Sequence, residues 1–265
     1  MPTVLCDRHR FAFLHIPKTG GTTVGHQLAD ALPHDRFLAA GFSLGTEVGE
    51  VYHDHLTLRQ LSTLRPDLFR RLADCDVVAV LREPLSRLRS ALYQYIRNSG
   101  PEEPGLLDRR AIGAVMDRVM RQVRQSANWP LPFNFFRPQV EYVRLDGRRY
   151  VGRTYDFADL APMADHVRAR TGVELDLGER RRGSRHYDPA QRRTLGSALR
   201  ALRWVLPAAA HDALRARALR AIEQPSNPAM DAVLRSDTVR EFVRDFYAED
   251  AILYDDMRHG AQGNG

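Results

Sequence analysis

Three times along this chain a short apolar run stops at a polar turn and gives way to a stretch with helical spacing. That repeated order constrains the fold more than any other feature. The first run is Phe11 to Ile16 (FAFLHI), which meets Pro17 and then Gly20-Gly21 before a helix from about Thr22. The second is Asp76 to Leu81 (DVVAVL), followed by the turn Arg82-Glu83-Pro84 and a helix from about Leu85 to Ile96. Its Val-rich run, with no polar alternation, suits a strand covered on both faces. The third is Arg148 to Gly152, followed by a helix from Phe157 to Arg170 that ends near Gly172. Strand-to-helix order of this kind predicts an α/β fold with a mainly parallel central sheet and crossover helices on its faces.

Other segments fill in this frame. A short strand ends at Val51-Tyr52, a helix runs from about Thr57 to Ala73, and Ile112, Val115, Val119 and Val123 recur at helical spacing across Ala111 to Gln125. Residues Glu179 to Arg185 (ERRRGSR) read as a basic loop before a helical segment near Pro189, and Thr238 to Met257 reads as a closing helix. A chain of 265 residues buries roughly 70 to 75% of its unfolded surface, enough for one large core. The expected organisation is a single domain over residues 1–258 with a disordered tail at 259–265.

Composition narrows the partners. No stretch approaches the ~20 uninterrupted apolar residues of a membrane span, and no secretory signal opens the sequence, so a cytoplasmic protein is expected. Cys6 and Cys75 lie beside apolar runs with no CxxC or Cys/His cluster, which reads as two reduced thiols rather than a disulfide or a zinc site. A net charge of +6 favours an anionic partner. Of the 39 basic residues, 38 are arginine and Lys18 is the only lysine. The one retained ammonium calls for a chemical reason.

Lys18 belongs to the strongest motif, His15-Ile-Pro-Lys-Thr-Gly-Gly-Thr-Thr23, at the junction of the first strand and first helix. Backbone N–H groups at a helix N-terminus make an anion site, the glycines let the backbone come close, and Lys18, Thr22 and Thr23 add a cation and two hydroxyls. A Walker A loop would place its lysine after the glycines and follow it with the magnesium-binding Ser/Thr; here the lysine comes first. The second motif is Arg82-Glu-Pro-Leu-Ser-Arg-Leu-Arg-Ser90, where a strand-end arginine offers a planar fork to phosphate. The third is Tyr52-His53-Asp54-His55. If extended, it sends both imidazoles to one face, and a group with a pKa near 6.5 can accept a hydroxyl proton at neutral pH. His-x-His without a nearby carboxylate or cysteine cluster argues weakly for metal.

HIPKTGGTT resembles the 5′-phosphosulfate loop of sulfotransferases that use 3′-phosphoadenosine 5′-phosphosulfate (PAPS), in the form seen in carbohydrate sulfotransferases. Arg82 to Ser90 is similar to that family's 3′-phosphate element, and Tyr52 to His55 resembles the base-bearing element of heparan 2-O-sulfotransferase-like enzymes. Bacterial sulfotransferase family 2 proteins share the likeness. The resemblance implies a P-loop-type domain that binds PAPS and its product PAP without a metal, through Lys18, Thr19, Gly20, Gly21, Thr22, Thr23, Arg82 and Ser90. It also implies catalysis by Lys18 with His55 as base and His53 assisting, on a carbohydrate or glycoconjugate hydroxyl, with no nucleic acid partner.

Weaker likenesses place Asn134 to Val143 beside the acceptor and Phe246 to Tyr254 in a closing helix, and leave Arg180 to Arg185 either folded over the nucleotide or as a solvated arginine-rich loop. Two other readings stand beside this one. A small-molecule kinase would need magnesium and a Walker-type hydroxyl. A non-enzymatic binder of anionic glycan or nucleic acid would bind through its arginines in a salt-dependent way.

Overall fold

The computed structural model describes residues 3–34, 41–99, 107–125, 129–177, 186–187, 223–224 and 227–260. Its strands, in chain order, are β1 (Val4–Cys6), β2 (Phe11–Leu14), β3 (Phe42–Thr46), β4 (Gly49–Tyr52), β5 (Asp76–Leu81), β6 (Arg144–Leu145), β7 (Arg148–Arg149) and β8 (Arg153–Asp156), followed by β9 (His186–Tyr187) and β10 (Glu223–Gln224), which pair antiparallel with each other. The helices up to Thr171 are α1 (Gly21–Ala31), α2 (Leu58–Leu64), α3 (Pro66–Arg71), α4 (Pro84–Ser99), α5 (Arg109–Gln125), α6 (Val140–Val143) and α7 (Ala161–Thr171). Three more span Pro228–Leu234, Asp237–Phe246 and Ala248–Arg258.

The central sheet has the order β1-β2-β5-β8. β2, β5 and β8 are parallel, with Phe11 opposite Asp76 and Val78 opposite Arg153. β1 turns back antiparallel on β2, so the sheet is mixed rather than wholly parallel. Alternation along the strands sorts their side chains to two faces. Phe11, Phe13, Val78 and Val80 pack with Val24 and Leu28 of α1 and with Met163 and Val167 of α7. Ala12, Leu14, Val77, Ala79 and Leu81 pack on the opposite side with Leu58, Leu61 and Leu68 and with Leu253, Tyr254 and Met257 of the last helix. Both faces are covered, which is why β5 carries no polar alternation. A third core joins α4 and α5 to the 3₁₀ segment Leu131–Phe136 and to the helices of 228–246.

Four expected boundaries move, each for a local reason. The third parallel strand is Arg153–Asp156, not Arg148 to Gly152. Asp146 and Gly147 both take positive φ, 49° and 78°, the signature of a type I′ turn. That turn folds β6 back on β7, with Arg144 opposite Arg149, so this run makes a small hairpin instead. The expected 57–73 helix breaks at Arg65 (φ −141°, ψ 66°), because the residue before Pro66 is disfavoured in helical geometry. The helix expected from Phe157 starts at Ala161, after Asp156 and Asp159 have each accepted a backbone N–H two residues on. The closing helix divides at Tyr247, whose hydroxyl donates to the Phe136 carbonyl at 2.7 Å. The Arg180 to Arg185 loop, the segment near Pro189 and residues 261–265 lie outside the described residues. Among the described residues no helix is long and apolar enough to cross a membrane.

Candidate functional site

Residues 15–20 join β2 to α1 and form the first half of the site. Lys18 has φ +66° and Gly20 has φ +76°, while Thr19 between them keeps the ordinary sign. Left-handed residues alternating with right-handed ones turn successive N–H groups toward one point, the geometry of an anion nest. A non-glycine residue held in the left-handed region is strained by roughly 1–3 kcal/mol, so the surrounding structure must impose it. Part of that constraint comes from the buried Thr19, whose hydroxyl donates to the Ile16 carbonyl at 3.0 Å. α1 then starts with no side-chain cap and no acidic residue in its first turn, which carries the partly exposed hydroxyls of Thr22 and Thr23.

The two glycines are there for neighbouring side chains. A Cβ on Gly20 would lie 2.4 Å from Phe157, and one on Gly21 would lie 2.3 Å from the His15 ring. Phe157, just past β8, and the buried His15 thus pack directly against the loop and set its path.

The second half comes from the end of β5 and from α4. The Arg82 guanidinium lies 4.6 Å over the Phe157 ring, donates through Nε to Ser86 Oγ at 2.9 Å and through Nη1 to the Lys18 carbonyl at 3.3 Å. Its backbone is clamped by Gln139, which accepts from Arg82 N at 3.0 Å and donates to Arg82 O at 2.9 Å. The N-terminus of α4 is already filled, since the Glu83 carboxylate accepts from the N–H groups of Leu85 and Ser86. Any anion at this strand end would therefore meet side chains, whereas at α1 it would meet backbone.

Four-residue spacing puts Ser86, Ser90 and Gln94 on one stripe of α4. The stripe ends where Lys18 Nζ donates to Gln94 Oε1 at 3.3 Å, and Arg97 Nη2 donates to the same oxygen at 2.9 Å. Lys18, Arg82 and Arg97 are thereby held together. Burial lowers the Lys18 pKa to about 8, and repulsion from Arg97 and Arg82 adds to the drop.

The histidines separate. Residues 53–55 form a 3₁₀ turn, not an extended strand, and in that geometry positions two apart point in different directions. His53 turns to the β3–β4 hairpin, where its Nε2 meets Ser43 Oγ at 2.8 Å and its N–H donates to the Gly41 carbonyl. His55 turns to the loop: its Nδ1 donates to the His15 carbonyl at 3.3 Å, and its ring meets the His15 ring edge-on at 4.4 Å. Close packing lowers the His55 pKa to about 4, and Lys18 is near enough to contribute. His55 is therefore neutral at pH 7, well below the value near 6.5 expected of a free imidazole. Of the two carboxylates on the β3–β4 hairpin, Glu50 accepts the Leu131 N–H, and Glu47 is exposed near the turn.

The structure thus brings Lys18, Thr19, Gly20, Gly21, Thr22, Thr23, Arg82 and His55 to one loop, with Ser90 on the adjoining stripe, and leaves His53 on the hairpin. Sequence reading missed Ser86, Gln94, Arg97, Gln139 and Phe157. The four-residue Ser86-Ser90-Gln94 spacing was the available signal for the first two. Among the described residues no group of three or more His, Cys, Asp or Glu could hold a metal ion. Compared with protein-family models, with curated proteins and with solved structures, the chain matches none.

Proposed function

We propose that this chain is a sulfotransferase that moves a sulfuryl group from PAPS to a hydroxyl of a carbohydrate or glycoconjugate. One observation carries the reading: three cations from two strand–helix units, Lys18, Arg82 and Arg97, converge beside a left-handed loop, and among the described residues the Lys18 ammonium rests on an amide oxygen and not on a carboxylate. Assembling like charges is unfavourable unless an anion completes the site. The donor set of backbone N–H groups, hydroxyls and guanidinium fits a nucleotide with phosphate at both ends.

PAPS supplies the activated sulfuryl group, and the chain's residues have separable tasks. The 18–23 backbone with Thr22 and Thr23 holds the 5′-phosphosulfate, and Arg82 with Ser90 holds the 3′-phosphate. Lys18 offsets charge developing on the oxygen that leaves sulfur. His55, neutral at pH 7, takes the acceptor proton, and an anion bound beside it raises its basicity. His53, turned away, is left with at most an acceptor-side role.

The experiment is calorimetry with PAP in EDTA, followed by mass spectrometry of products after incubation with PAPS and a panel of glycans. Metal-free PAP binding and a sulfated product are expected. Absence of PAP binding with tight Mg-ATP binding would move the assignment to a kinase, and salt-sensitive glycan binding without nucleotide preference would move it to a non-enzymatic binder.

A further inference from the structure

Lys18 combines properties that transfer chemistry alone does not require. It is the only lysine in the chain, and it keeps some exposed surface while its Nζ is held against Gln94 at 3.3 Å. Among the described residues the charges that act on it are the guanidiniums of Arg97 and Arg82. Burial above all, and the cations beside it, make this ammonium shed its proton readily, and a titration point near 8 leaves roughly a quarter of the amine neutral at pH 7.5, against about one part in a thousand for an ordinary lysine. The neutral amine is a nucleophile. The same residues that make it so attract anions.

We propose that Lys18 is a modification site for acyl phosphates, which acylate its Nζ and so switch off the anion site. This rests on the anion-binding part of the proposed function and not on sulfuryl transfer. The phosphate end of the reagent sits on the 18–23 loop and the guanidiniums, with its carbonyl toward Nζ. The Nζ lone pair forms a bond to the carbonyl carbon, and the bond from that carbon to the phosphate oxygen breaks. Inorganic phosphate leaves with the electron pair, stabilised by the cations that bound it, and Nζ gives up its proton to water. The products are an ε-amide and phosphate. Acylation removes the lysine's charge, so PAP affinity and transfer should fall together.

The α-amino group of the full chain is a second amine and serves as an internal control. The full chain is incubated with acetyl phosphate at pH 7.5 and mapped by peptide mass spectrometry, with p-nitrophenyl acetate as an uncharged acyl donor. The expected result is Lys18 acetylation in at least about tenfold excess over the α-amino group with acetyl phosphate. Millimolar inorganic phosphate should suppress that excess, but not the acetylation by p-nitrophenyl acetate. Lys18→Arg, which keeps the positive charge, should show only α-amino acetylation. Preferential α-amino labelling, or Lys18 labelling indifferent to phosphate, overturns the proposal. PAP calorimetry on the unmodified chain keeps the readings apart: PAP binding without Lys18 acetylation sinks this inference alone, whereas Lys18 acetylation that phosphate blocks, without PAP binding, sinks the sulfotransferase reading alone.

Discussion

Helix α4 carries two arginine environments of opposite design. Arg87, on its inner face, is 1% exposed and lies 3.7 Å from Asp250, also fully buried. It donates to the carbonyls of Phe135 and Arg137, and Asp250 accepts the N–H groups of Gln139 and Val140. Charge there is matched inside the protein and joins the Asn134 to Val143 segment to the closing helix. Arg82, just before the same helix, and Arg97, in its last turn, lean on Ser86, Gln94 and the Lys18 carbonyl instead. A cation with its own carboxylate holds a fold, and cations gathered around amides and hydroxyls leave charge for a ligand. The contrast separates the structural arginine from the candidate binding ones without reference to any relative.

The sharpest way to break the comparison is Asp250→Ala. It should cost about 3–5 kcal/mol in denaturant melts, because it strands a buried guanidinium. A loss under 1 kcal/mol would mean that Arg87 finds water and that the inner environment is no different from the outer one. Lys18→Ala should do the reverse, lowering turnover by about two to three decades while leaving thermal stability unchanged or slightly higher, since it removes a desolvated charge from beside two others. An unfolded Lys18→Ala protein would place the lysine with the structural cations.

Arg82→Ala should weaken PAP by about one to two decades and adenosine 5′-phosphosulfate, which lacks the 3′-phosphate, much less. Equal weakening in calorimetry would reassign Arg82 to the loop, through its contacts with Lys18 and Phe157.

The smallest effect is a pH dependence at His55. Its folded pKa, about 4, lies below the ordinary 6.5, so the unfolded chain binds more protons between those values. The stabilising contribution is complete above pH 6.5 and is lost as pH falls toward 4, at no more than about 1.4 kcal/mol per pH unit. His55→Asn should flatten that slope in melts between pH 7.5 and 4.5 and abolish most transfer. An unchanged slope would show that another group controls the acid limb.

Local chemistry made part of this molecule legible in the sequence. The apolar runs at Phe11 and Asp76, the lysine-first glycine loop and the strand-end arginine depend on neighbours within a few residues, and the elements stand close to where those patterns put them. Local signals also existed for two expectations that moved: Asp146-Gly147 is a hairpin turn by composition, and Pro66 ends the helix before it. Beyond that reach the sequence was silent. Whether 53–55 would continue β4 or coil into a 3₁₀ turn was decided by packing, His53 against the hairpin and His55 against His15, and the coil separated two histidines that an extended segment would have paired. Gln94 and Arg97 came to Lys18 because two parallel strands lie side by side and aim their following helices at one edge, a distance of more than 70 residues along the chain. Sequence alone thus determined the local patterns, a lysine-first glycine loop and a strand-end arginine. Only the tertiary structure decided which cations, among the described residues, rest on amide, hydroxyl and carbonyl oxygens, because charge compensation is a property of neighbours in space.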